Sequence, residues 1–176
     1  PSFVTQFSGL WPFEHEVTGI FQECQPAHLP LVPALGMRGW RTIGVMTNFV
    51  ATSDWGFAHG FDVWDDSLAS GHVGASADKA AELALRYLDQ PTDPDAEVEP
   101  AGVFLFGWLF EPHYRYEAHA GLRFGPGFGA AASTPYSGRL KGDEDLNVLL
   151  RERATLTDAD RAFLRGNYQS EVAEVD

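Results

Sequence analysis

Apolar residues recur along this chain at helical spacing in some segments and as unbroken or β-branched runs in others, and the changes mark out its elements. Phe3, Val4, Phe7 and Leu10 stand at helical spacing, with Pro1 suited to a first turn and Gly9 to an end, so they predict a short amphipathic helix over 2–10. Trp11-Pro12-Phe13-Glu14-His15 breaks it, and 17–30 reads as irregular, carrying Cys24, Pro26 and His28. Residues 31–37 predict a short helix with Pro33 in its first turn and Gly39 past its end. The β-branched run 41–47 predicts a strand, closed by Asn48. Residues 54–62 show neither period and read as an ordered surface loop that Asp65 and Asp66 extend. Ser76 caps a helix to about Gln90, with Ala80, Leu83, Ala84, Tyr87 and Leu88 as its buried stripe and Pro91 as its stop.

The run Val103-Phe104-Leu105-Phe106-Gly107-Trp108-Leu109-Phe110 organises the rest. Its apolar side chains are broken only by a glycine and bounded by Pro100 and Pro112, which predicts a strand buried on both faces, as in a helix-covered parallel sheet. With the strand at 41–47 and the helix between, it makes a βαβ unit, expected to be right-handed. Ligands in such sheets sit beyond the carboxyl ends of the strands, and His113 stands just past this one. A loop histidine satisfied by its own backbone is the competing reading. Residues 121–132 are rich in glycine and alanine and predict a long excursion; 143–151 predicts a short helix with Leu146, Leu149 and Leu150 inward. Thr157 with Asp160 resembles a capping box, opening a helix whose stripe is Phe163, Leu164, Tyr168, Val172 and Val175.

With 176 residues, 44% of them hydrophobic, the chain can bury one sizeable core, and a single domain over 1–176 is expected. The net charge of −13 argues against nucleic-acid backbones and acidic membrane surfaces, although a helix N-terminus, an arginine or a metal can still hold an anion locally. The lone Cys24 excludes an internal disulfide and a cysteine-based zinc site. No apolar run approaches the ~20 residues of a membrane-spanning helix. No signal peptide is read, the chain opens at Pro1 and closes on Asp176 in mid-pattern, and both ends read as cut. Nothing in the sequence specifies compartment or oligomeric state.

Pro1-Ser2-Phe3 through Phe13-Glu14-His15 resembles the sulfatase signature, in which a Cys or Ser nucleophile precedes Pro-Ser-Arg or Pro-Ser-His, a short helix, Thr-Gly and an aromatic-Pro-x-x-His. Gly39-Trp40-Arg41-Thr42 is similar to the family's Gly-Tyr-Arg-Thr, and Trp55-Gly56-Phe57 with Gly60-Phe61-Asp62 to its Gly-Phe-x-x-Gly-Phe-Asp loop. Phe104 to His113 resembles its Phe-Phe-Leu-Phe strand ending in Asp-Pro-His or Glu-Pro-His, and 168–176 its Tyr-Asp-x-Glu-Val-x-Tyr-Val-Asp helix. The likeness covers most of the chain. It implies an α/β/α sandwich with a mainly parallel sheet, alkaline-phosphatase-like and incomplete at both ends.

For function, the resemblance implies a sulfuric ester hydrolase whose nucleophile lies two residues before Pro1. Small-molecule or carbohydrate sulfate esters are the implied partners, and a divalent cation, calcium by the same likeness, the implied cofactor, with ligands before Pro1 and after Asp176. His113 is the implied catalytic donor, and Ser2 and His15 the candidate anion-binding residues; for His15 a structural bond fixing its loop is the competing role. Three positions depart from the pattern: Phe3 where Arg or His is usual, and Thr47 and Phe49 where many arylsulfatases carry Lys and His. A phosphatase or phosphotransferase of the same superfamily, and an inactive binding homologue, are the alternatives. Asp54, Asp62, Asp65 and Asp66 lack the spacing of an EF-hand and read as a solvated acidic face, and the glycines of 121–129 lack a P-loop's Lys-Ser or Lys-Thr ending.

Overall fold

Trp40–Met46 forms β1, the central strand of a parallel sheet. A computed structural model describes residues 1–69, 77–90, 99–110, 113, 116, 136–141 and 144–175 of this mixed α/β protein, in two units, Pro1–Phe110 and Glu111–Asp176. In the first unit β1 is flanked by β2, Val63–Asp65, and by β3, Gly102–Trp108, in the order β2-β1-β3. Ile43 pairs with Val63 on one side; Thr42, Gly44 and Met46 pair with Phe104, Phe106 and Trp108 on the other. Successive side chains of a strand leave opposite faces. Met46, Phe104, Phe106, Trp108 and Trp64 therefore meet Phe3, Val4 and Phe7 of α1, Ser2–Ser8, and Val32 of α3, Leu31–Gly36. Ile43 and Val45 meet Ala80, Leu83, Ala84 and Tyr87 of α4, Ala77–Asp89. Gly44 permits this packing, because a Cβ there would stand 2.4 Å from Trp64 Cε3.

The short helix expected over 2–10 ends two residues earlier, where Gly9 takes φ 73° and its N–H donates to Thr5 O at 2.9 Å. The segment read as a break contains one further turn, α2, Pro12–His15, whose Glu14 carboxylate accepts from Trp11 N–H at 2.8 Å. β2 was not expected: three residues that run into paired aspartates, Asp65 within the strand and Asp66 after it, carry too little pattern to separate from a loop. The neighbouring loop is tied to the core, because Asp62 Oδ2 accepts from Thr42 N–H at 2.7 Å and from Thr42 Oγ1 at 3.0 Å. Ser76 and residues 121–132 lie outside the described residues.

One expectation about β3 is corrected. The strand is not buried on both faces: Phe104, Phe106 and Trp108 turn into the core, whereas Val103 and Leu105 are 41% and 40% exposed. β3 pairs only with β1 among the described residues and so lies at an edge, and α4 packs mainly against β1. An uninterrupted apolar run cannot distinguish an edge strand from a central one.

Cys24 is buried beneath this core, and burial pushes its thiol from 9.0 up to about 11. Folding thus disfavours the thiolate. We expect Cys24 to react with a thiol reagent only after unfolding, and stability to fall between pH 9 and 11, where the unfolded thiol ionises and the folded one does not. Labelling in native buffer at the rate seen in denaturant contradicts this.

In the second unit α5, Leu146–Glu152, is capped by Asp145, whose carboxylate accepts from Asn147 N–H at 2.8 Å and Val148 N–H at 3.2 Å. The expected capping box forms: Thr157 N–H donates to Asp160 Oδ2 at 2.8 Å and Asp160 N–H to Thr157 Oγ1 at 3.1 Å, opening α6, Asp158–Val175. Leu149 of α5 and Phe163 of α6 form the core with Leu140, and Tyr136 stacks on Phe163 at 4.1 Å. The Tyr136 hydroxyl also donates to Asp160, and with the Thr157 groups holds that carboxyl below the usual range. Two expectations hold only in part. Leu149 is buried but Leu146 and Leu150 are exposed, and on α6 Phe163 is buried and Leu164 packs against it, yet Asp160, Asn167, Ser170 and Glu171 are buried too while Tyr168 is exposed against Tyr116. Helical spacing places residues on faces, but the neighbours of each face decide which one is covered.

Candidate functional site

The three parallel strands end together at Met46, Asp65 and Trp108, and the residues just past these ends build the site. Thr47 ties two of the ends. Its N–H donates to Trp108 O at 3.0 Å, and its hydroxyl donates to the same carbonyl at 3.3 Å while accepting from Phe110 N–H at 2.6 Å. A short β-branched hydroxyl at a strand end is the signal for such a stitch. Thr47 is one of the three positions that depart from the sulfatase-like pattern.

The first turn of α1 lies at this same end. Phe3 stacks on Trp108 at 5.3 Å with the planes 6° apart, while Phe7, one turn on, meets Phe106 at 4.8 Å. The helix thus runs back along β3, and its N-terminal turn sits beside the strand's carboxyl end. Ser2 is exposed there. Phe3, the residue that departs from the signature, is 2% exposed and spends its ring on the core.

His15 is also buried, and both of its ring nitrogens are engaged. Nδ1 accepts from Val17 N–H at 3.1 Å, so the ring proton lies on Nε2, which donates to Thr5 Oγ1 at 3.1 Å. The pair fastens α1 to the loop beyond α2. His113 belongs to the second unit, where it is exposed. Ser2 and His15 are therefore gathered around one helix, and His113 is described apart from them. Glu111 and Pro112, which precede it, lie outside the described residues.

The aspartates read as a solvated face are structural acceptors at the end of β2. Asp65 accepts from Ser67 N–H at 2.9 Å, Ser67 Oγ at 2.5 Å and Tyr87 Oη at 2.6 Å. Asp66 Oδ2 accepts from Ser53 N–H and hydroxyl and from Trp64 Nε1. Burial pushes both carboxyls up, but the hydrogen bonds outweigh it and hold them below the usual carboxylate value. Among the described residues no group of three or more His, Cys, Asp or Glu is placed to hold a metal ion. No helix among them is long and apolar enough to cross a membrane.

Beyond the strand ends a row of aromatic rings lines the rim, a feature the sequence pattern does not reveal because its members come from three segments distant in sequence. Phe110 lies 5.7 Å from Phe49, Phe49 lies 6.0 Å from Phe21, and Phe21 lies 5.5 Å from Trp55. The chain matches no protein-family model, no curated protein and no solved structure.

Proposed function

We propose that the chain is part of a sulfatase-like hydrolase with an alkaline-phosphatase-like fold, cleaving sulfate esters through a nucleophile encoded just upstream of Pro1. The observation that supports it most is the first turn of α1, held at the carboxyl end of a parallel sheet by Phe3 on Trp108. Two residues span at most roughly 7 Å, so a nucleophile two positions before Pro1 emerges beside that end, where α/β sheets bind their ligands. Sulfuryl transfer builds charge on the leaving oxygen and on the sulfuryl oxygens, and needs oriented donors and a proton source. In this reading the N–H groups opening α1 and the Ser2 hydroxyl supply donors; His113, which belongs to the second unit, is proposed as the catalytic donor on the family likeness alone. His15 acts through Thr5, keeping α1 in place. The divalent cation implied by the family likeness would neutralise charge on the sulfuryl oxygens; the described residues supply no ligand set for it.

The burial of Phe3 favours a second reading, an inactive homologue that keeps the shape of the site, because the position after Pro-Ser offers no donor. Turnover separates the readings. A chain extended to include its upstream nucleophile and its downstream residues, assayed with calcium, is expected to hydrolyse 4-nitrophenyl sulfate faster than 4-nitrophenyl phosphate. The 176-residue chain alone is expected to show no turnover above buffer. Faster phosphate cleavage transfers the assignment to a phosphatase, and silence from the extended chain with both esters overturns the hydrolase.

A further inference from the structure

The aromatic row takes no part in the proposed hydrolysis, and its construction is unusual for a surface. Phe21 is 45% exposed and Phe49 39%, with Trp55 half-buried behind them. Phe21 holds φ 58°, a left-handed conformation that is costly for a bulky side chain. Its loop is braced: Gln22 Oε1 accepts from Thr18 and Gly19 N–H at 3.0 and 3.1 Å, Gln22 Nε2 donates to Glu16 O at 2.8 Å, and Cys24 N–H donates to Trp55 O at 2.8 Å. The rings are thus fixed in place while remaining open to solvent.

Charge decides what such a surface can take. Exposed Glu16, Glu23 and Asp54 adjoin the row in sequence, and residues 1–37 and 42–78, which supply Phe21, Phe49 and Trp55, contain no Lys or Arg. Arg38 and Arg41 belong to the opposite, amino end of β1, where they donate to Ala34 O and Gln90 O. Aromatic faces attract cations through their quadrupole, and carboxylates add to that field. An anion is repelled here, and a neutral ring gains nothing from the carboxylates.

We propose that the row Trp55–Phe21–Phe49 binds an organic cation, an alkylated ammonium head group whose methyls rest on the ring faces and whose charge is balanced by Glu16, Glu23 and Asp54. A bare ammonium keeps its hydration shell more tightly and suits the apolar rings less. The inference stands apart from the hydrolase, since binding is read without turnover.

Titration of the 176-residue chain with tetramethylammonium, followed by NMR, tests it against 2,2-dimethylpropan-1-ol, a neutral molecule of similar shape. The cation is expected to bind several-fold more tightly than the alcohol, and more weakly as salt is raised. Phe21→Gly keeps a residue suited to φ 58°, and it and Phe49→Ala, each confirmed folded by its NMR spectrum, are expected to weaken cation binding by roughly twofold to tenfold. Phe49→Leu, which keeps an apolar side chain without the ring, is expected to lose as much as Phe49→Ala. Equal affinity for the alcohol overturns the proposal in favour of a plain apolar docking surface. Failure of the cation to bind, or unchanged binding in Phe21→Gly and Phe49→Ala, overturns it outright.

Discussion

Gly56→Ala is expected to destabilise the protein by roughly 2–6 kcal/mol, the sum of a left-handed backbone penalty and an overpacked contact. Gly56 holds φ 82°, and a Cβ built on it would stand 2.2 Å from the carbonyl oxygen of Cys24. That oxygen belongs to a backbone that cannot rotate away as a side-chain tip could, because Cys24 N–H is bonded to Trp55 O on the same pair of segments. The added methyl must therefore separate two segments that carry Cys24, Ala51 and Phe57 into the core. Against a typical total stability of about 5–15 kcal/mol, the loss is a large fraction of what holds the fold and is read directly as a lowered denaturant midpoint. Gly9→Ala is the control. Gly9 also holds a left-handed φ, 73°, but nothing lies within 4 Å of its added Cβ, so only the backbone penalty of about 1 kcal/mol is expected. Denaturant midpoints of the two variants check the argument: if they shift equally, the close approach of the two segments is wrong.

The same residues show what the sequence disclosed and what it concealed. The helix α1 with Gly9 near its end, the strand at Trp40–Met46 and the capping box at Thr157 were legible because each rests on local chemistry: a glycine in the left-handed region, a β-branched run, and a hydroxyl and carboxylate three residues apart. The exposure of Val103 and Leu105 was not legible, because it depends on how many neighbours β3 has and no residue of β3 encodes that number. The polar face of α6 was missed for a similar reason. Asn167, Ser170 and Glu171 became buried residues through tertiary contact, against their own preference for water.

The candidate site divides along the same line. His15 and Ser2 stood out as parts of a contiguous motif, and the structure places the helix between them against the end of β3. The aromatic rim was invisible because Phe21 comes from the segment before α3 while Phe49 and Trp55 come from the connection after β1, and they meet only after the chain has turned back on itself. Thr47 and Phe49 illustrate both halves. As positions in a motif they were two absent cations; in the fold one ties β1 to β3 and the other faces solvent beside Phe21.

His113→Ala, made in a chain that carries its nucleophile and turns over a sulfate ester, is expected to lower kcat by roughly a hundredfold or more while changing KM little. A donor to the leaving oxygen bonds more strongly as charge develops there, so its loss is felt in the transition state and hardly in the bound substrate. His113 is exposed, and a substitution at the surface usually changes stability by no more than about 0.5 kcal/mol, so the variant's unfolding midpoint should stay near that of the parent. The competing role forecasts the reverse pattern. A histidine that only satisfies its own loop would, on replacement, lower the unfolding midpoint and leave turnover per folded molecule intact. Measuring kcat, KM and the midpoint on one preparation separates the two, and a fall in the midpoint with kcat unchanged removes His113 from the chemistry and leaves the leaving oxygen to be protonated by another group.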